Sequence, residues 1–257
     1  MFNIYRSLTV SVFVTILFAC SSSSDDDSEN GTGIDSDGSV SAFNVSGDSR
    51  LARVERTSAT GDVLVTGYSY NDDGRIQEIA GVNNGELIFT LVYSYDENGR
   101  ALTRLQDRSA VEDQDTIREY VYDVDLPVGY FLFDVGEVRP KNAVQFRYSD
   151  NQIVGFDFKD LDPLLDNPTL ADGTLANTGT LTISDSGNVT SLIEQAADGS
   201  NMRITSFVTN AVGQRISDET LDSDGNTLFT SVWEYEAAPC IEFPQGTLSQ
   251  WLCVQTL

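Results

Sequence analysis

The chain has 257 residues, 40% of them hydrophobic, which is enough to bury a sizeable core and within the length that a single all-β domain reaches. Its 40 acidic residues outnumber 15 basic ones for a net charge of −25, and no basic cluster exists that could follow a phosphate backbone, which argues against nucleic acid as a partner. There is no histidine, which removes Ser-His-Asp and Cys-His catalysis and histidine-containing zinc sites.

In chain order, residues 1–6 carry one positive charge, at Arg6, and residues 8–18 (LTVSVFVTILF) form an apolar run too short to span a bilayer in a mature protein. This is the pattern of a signal peptide over residues 1–19. At its end Leu17-Phe18-Ala19-Cys20 resembles the lipobox of bacterial lipoproteins, with Phe18 where that family prefers a smaller residue. The resemblance implies that Cys20 is acylated and becomes the new N-terminus; the alternative is an ordinary cleaved leader. Ser21, by the same resemblance, permits transfer to the outer membrane, so the expected partner at this end is a membrane held through lipid. Residues 20–45 read as the lipidated cysteine and a flexible tether, because Ser21-Ser22-Ser23-Ser24-Asp25-Asp26-Asp27 opens a stretch almost free of apolar residues.

From residue 46 to 257 short alternating runs recur between clusters of Asp, Asn, Gly and Ser, and no sustained helical spacing is present. Two units align 25 residues apart, Tyr68-Ser69-Tyr70-Asn71-Asp72-Asp73-Gly74-Arg75 and Tyr93-Ser94-Tyr95-Asp96-Glu97-Asn98-Gly99-Arg100. In each, two rings leave the same strand face, Asp or Asn opens a turn, and glycine accepts the positive φ that closes it. Weaker copies begin at Tyr120, Phe146, Leu181 and Phe207, and a last turn spans Asp222-Ser223-Asp224-Gly225-Asn226. These units resemble the YD repeats of Rhs-type proteins, which implies stacked hairpins in a curled antiparallel sheet. The expected fold is therefore an all-β antiparallel meander of stacked hairpins, with a β-sandwich or barrel as the alternative. Pro127 and Pro140, then Pro163 and Pro168, mark residues 124–141 and 160–177 as long loops or a break in the sheet, the second a candidate boundary between subdomains.

Several side-chain sets remain to carry function. Cys240 and Cys253 are spaced to close a short disulfide loop, the alternative being two buried thiols. Tyr68, Tyr70, Tyr93 and Tyr95 form an aromatic ladder that is either core or a candidate binding surface for sugar rings or an apolar patch, and Trp233, Tyr235 and Trp251 pose the same choice. Asp222-Ser223-Asp224-Gly225-Asn226 resembles the start of an EF-hand loop, but Trp233 stands where the bidentate Glu belongs, so only loose calcium binding by acidic turns stays open and no metal ligand is assigned. No cofactor motif is visible, and no carboxylate pair is singled out among forty, so no catalytic residue is assigned. The expected role is non-enzymatic: a membrane-anchored envelope lipoprotein of the outer membrane, acting as a structural or protein-binding module, or alternatively as a glycan-binding module assisted by calcium, with a carboxylate-based hydrolase as the third reading.

Overall fold

The computed structural model describes residues 45–108, 115–124, 126–149, 152–185, 187–242 and 253–254. The leader, Cys20, the tether and Trp251 lie outside these residues. The described chain is all β, with β1 (Val45–Ser58), β2 (Val63–Tyr70), β3 (Ile76–Asn83), β4 (Glu86–Tyr95), β5 (Ala101–Asp107), β6 (Thr116–Asp123), β7 (Leu126–Asp134), β8 (Asn142–Ser149), β9 (Gln152–Asp160), β10 (Thr174–Ile183), β11 (Val189–Ala196), β12 (Asn201–Thr209), β13 (Arg215–Asp222), β14 (Thr227–Glu242) and the short β15 (Cys253–Val254). Each of the first fourteen strands pairs antiparallel with its chain neighbours. The meander closes where β14 returns to β1, from Val45 opposite Glu242 to Ser58 opposite Phe229. The result is a closed fourteen-stranded barrel, with β15 laid beside Ser49 and Arg50 of β1, beyond the reach of β2.

Local sequence sets the hairpins. In seven turns the first residue donates its N–H to the carbonyl four residues on and accepts from the N–H of a glycine three residues on, as in Asn71–Arg75 (2.8 Å) with Gly74–Asn71 (2.9 Å). The glycines involved, from Gly61 to Gly225, hold φ between 76° and 89°, the left-handed conformation that follows a tight turn and bends the strands together. At the first position an Asp or Asn side chain takes further N–H groups: Asp96 Oδ1 accepts from Asn98 N (2.9 Å) and Arg100 N (2.8 Å), and Asp222 Oδ1 from Asp224 N (2.9 Å) and Asn226 N (2.8 Å).

Alternation along the strands separates inside from outside. Fourteen strands enclose more space than the eight whose side chains just fill a barrel, and here rings occupy it: Tyr93, Tyr120, Phe146 and Trp233 are buried with Leu51, Val54, Ile76, Ile79, Leu91, Val144, Leu181 and Val189, and Tyr68, Tyr70, Tyr95, Tyr122, Tyr130 and Tyr148 pack against them. The outer face mixes exposed apolar side chains, such as Val92, Leu105, Val208 and Val232, with ion pairs. Arg50 pairs with Glu236 at 2.6 Å, Arg53 with Glu55 at 2.6 Å and Glu234 at 3.3 Å, and Arg147 with Asp157 at 3.5 Å.

The two proline-marked stretches resolve differently. Residues 124–141 contain a strand, β7, and not a long loop: Val124, at φ 55°, makes the turn, and Pro127 sits beside a register shift at Val121/Tyr122, where the ladder is interrupted and a missing N–H costs little. Residues 161–173 are a loop, but β9 and β10 pair directly beneath it, so the sheet is unbroken there. That loop folds back on the outer wall, burying Leu161 and Leu170 against Ala143, and Lys159 Nζ donates to its carbonyls at Leu170 (2.9 Å) and Ala171 (3.1 Å).

Candidate functional site

The tyrosine ladder faces the lumen. Tyr93 is 6% exposed and Tyr68, Tyr70 and Tyr95 pack on the same core, so the four do not form an exposed binding surface; closure of the sheet hides the face they share. Burial raises the phenol pKa values of Tyr68, Tyr93 and Tyr95. The second tyrosine of each copy ties its hairpin to the one before, because its hydroxyl donates to a backbone carbonyl of the preceding strand, Tyr70 to Leu51 (2.7 Å), Tyr95 to Ile76 (2.6 Å), Tyr122 to Ala101 (3.0 Å) and Tyr148 to Pro127. The arginine that follows the turn glycine lies over the next tyrosine, with the Arg75 guanidinium 5.8 Å from the Tyr95 ring centre and that of Arg100 5.4 Å from Tyr122. The motif is thus an interlock between successive hairpins.

A cluster of charge inside the barrel lies elsewhere, where β9, β11 to β14 and β1 line a cavity of about 240 Å³. Its floor holds Arg215, Asp218, Thr220 and Trp233, all buried, while Arg56 and Arg203 at its rim are exposed. Phe156, Phe207 and Phe229 supply apolar wall. The Arg215 guanidinium, 1% exposed as a residue, lies 3.3 Å from the Phe207 ring centre and 4.8 Å from that of Trp233. Burial pushes its pKa down, to about 8, against the opposing pull of Asp218. Asp218 accepts from Ser231 Oγ (3.0 Å) and Trp233 Nε1 (2.6 Å), Arg203 pairs with Glu194, and Arg56 lies 4.2 Å from the Phe229 ring centre.

The rim lies at the barrel end that carries the turns at 58–62, 196–200 and 222–226. The chain enters β1 at the opposite end, where Ile241 N donates to Gly74 O (2.9 Å) next to the first repeat turn. The rim of the cavity and the start of β1 thus lie at opposite ends of the barrel.

Among the described sequence candidates, only Trp233 lines this cavity. Cys240 is buried in β14 and Cys253 lies in β15, on the two strands that flank the same stretch of β1, opposite Gly47 and Arg50 respectively. Asp222 spends its carboxylate within its own turn, and among the described residues no group of three or more Cys, Asp or Glu is placed to hold a metal. Sequence reasoning missed Arg56, Glu194, Arg203, Arg215 and Asp218. The signal available was weak: each is a charged residue at an inward position of an alternating strand, which is visible only once the inward face is known.

No family model matches the chain, and no curated protein matches it. Among solved structures it is similar to a porin-like protein from Bacteroides uniformis, at 14% identity over 72% of this chain and 96% of that one, with a TM-score of 0.39. It is also similar to a Vibrio parahaemolyticus protein domain assigned to outer membrane lipoprotein sorting, at 9% identity over 74% of this chain and 85% of that one, with a TM-score of 0.28.

Proposed function

We propose that this chain is an envelope lipoprotein, acylated at Cys20 and carried to the outer membrane, whose barrel is a binding module for a small carboxylated ligand with an apolar or ring-bearing part. The observation that carries the ligand is the cavity whose rim bears the exposed Arg56, set over the Phe229 ring, and whose walls are aromatic. An arginine fork matches a carboxylate, and the rings and Thr205 and Thr220 would receive the remainder. The role is binding and not catalysis, because the two carboxylates in the cavity are engaged, Glu194 by Arg203 and Asp218 by Ser231 and Trp233. Strand addition to a protein partner is disfavoured, since closure leaves the long strands with no unpaired edge. The Cys20 anchor rests on the sequence of the leader and tether, and a Cys240–Cys253 disulfide would clamp β15 beside β1.

The test takes the mature protein extracted from membranes in detergent, measures its intact mass, and titrates it with benzoate, decanoate and galacturonate while following tryptophan emission. Acyl mass on Cys20 and saturable quenching by one of the three are the expected results. Arg56→Ala weakens binding about 10- to 100-fold, for the loss of a charged hydrogen bond of roughly 1.5–3 kcal/mol. Saturable binding that ignores this substitution, or none at all, overturns the ligand reading; an unacylated N-terminus beyond residue 20 overturns the anchor.

A further inference from the structure

On the opposite wall of the lumen from the cavity, two arginines face each other. Arg104 of β5 is directly opposite Arg118 of β6, and both point inward, level with Tyr93 of β4 and Leu132 of β7. Residues paired across adjacent strands have Cβ atoms about 4.5–5.5 Å apart, so two like charges start from neighbouring positions on the inner face. Arg104 is 5% exposed. Its neighbours are phenols: Tyr93 accepts a hydrogen bond from Arg104, the Arg118 guanidinium lies 4.5 Å from the Tyr130 ring centre, and both arginines act on Tyr93 and Tyr120. The Nε atoms of Arg104 and Arg118 are each buried with no acceptor. The next inward carboxylate along these strands is Asp134, which is opposite Thr116 and is held by Lys141. Two cations and several phenols therefore share this stretch of the inner wall, and among the described residues neither arginine is in an ion pair.

We propose that the Arg104–Arg118 pair is a buried binding site for a small monovalent anion, of halide or simple carboxylate size. A cross-strand guanidinium pair of this kind is costly when left uncompensated. One negative charge between the two Nε–H groups removes the repulsion, supplies the missing acceptor, and ties β5 to β6 from within. The anion here is a structural component of the barrel wall, and the site stands independently of the ligand cavity.

The experiment measures thermal unfolding of the full mature protein at constant ionic strength, replacing the sodium salt of a bulky sulfonate stepwise by sodium bromide. Bromide should raise Tm, by roughly 5–10 °C at one hundred times its Kd and with the logarithm of its concentration beyond that. Arg104→Met/Arg118→Met should melt higher than the parent in sulfonate, where the parent's repulsion is uncompensated, and should not respond to bromide. A bromide-soaked crystal, read by anomalous scattering, should place one ion within hydrogen-bond reach of both guanidiniums. Equal Tm in the two salts overturns the proposal, as does an equal bromide response in the double variant, or a crystal with no bromide between the arginines. If the double variant does not fold, the parent's salt response and the anomalous map decide the matter by themselves.

Discussion

Replacing Tyr95 by Phe removes one oxygen and leaves the ring in place. The Tyr95 hydroxyl donates to the Ile76 carbonyl at 2.6 Å, and both groups belong to the buried seam between β3 and β4. A neutral hydrogen bond contributes about 1 kcal/mol net, and the carbonyl left behind retains its backbone environment, so Tyr95→Phe should destabilise by about 1 kcal/mol, or roughly 2–4 °C in Tm for a domain of this size. The same bond recurs at Tyr70, Tyr122 and Tyr148, to Leu51, Ala101 and Pro127. Because each joins a different hairpin to its predecessor and shares no partner, the four effects should add, giving about 4 kcal/mol in the quadruple variant. Urea denaturation followed by tryptophan emission, with the slope checked for constancy, measures this directly. Four neutral substitutions, or a full loss of stability concentrated in one of them, would refute the reading of the motif as an interlock of equivalent bonds.

Gly129→Ala places a Cβ 2.1 Å from the Val144 carbonyl oxygen, a backbone atom that cannot swing away, so it should cost more than Gly81→Ala, whose new Cβ meets the movable Phe89 ring at 2.2 Å; differential calorimetry should rank them in that order, the second at about 1–3 kcal/mol. The Asp222 carboxyl is held below its ordinary range first by the side chain and then by the backbone N–H of Asn226, and Asp198 is lowered by Ser200. A carboxyl whose pKa is lower folded than unfolded contributes stability that is complete above the unfolded value, about 3.9, and is lost as pH falls through the folded value. Tm should therefore decline as pH drops below about 4, and Asp222→Asn should flatten that decline; an unchanged acid profile in the variant would count against it. Reduction of the proposed Cys240–Cys253 bridge should add the mass of two hydrogens and lower stability by about 3 kcal/mol, the loop-entropy value for so short a span; a chain already fully reduced when isolated would eliminate the bridge.

The hairpins were legible in the sequence because everything that shapes them lies within five residues: Asn71 or Asp96 at the first position, Gly74 or Gly99 at the fourth, and the ladder that follows. Alternation along the strands was legible for the same reason. Tertiary structure decided three things that these local rules leave open. Closure joins β1 to β14 across nearly the whole described chain, and no local pattern distinguishes a curled open sheet from a shut one. Closure then chose which face of every strand is inside. An alternating strand with tyrosines on one side and Ser or Thr on the other is equally consistent with an aromatic platform and an aromatic core, and the tyrosines became core only when the sheet came round to meet itself. That choice carried the arginines with it. Arg56, Arg104, Arg118, Arg203 and Arg215 share a face with the rings, so on a strongly acidic protein they line the lumen while many of the acids face water, an arrangement set by side-chain parity and visible only once the inside has been defined.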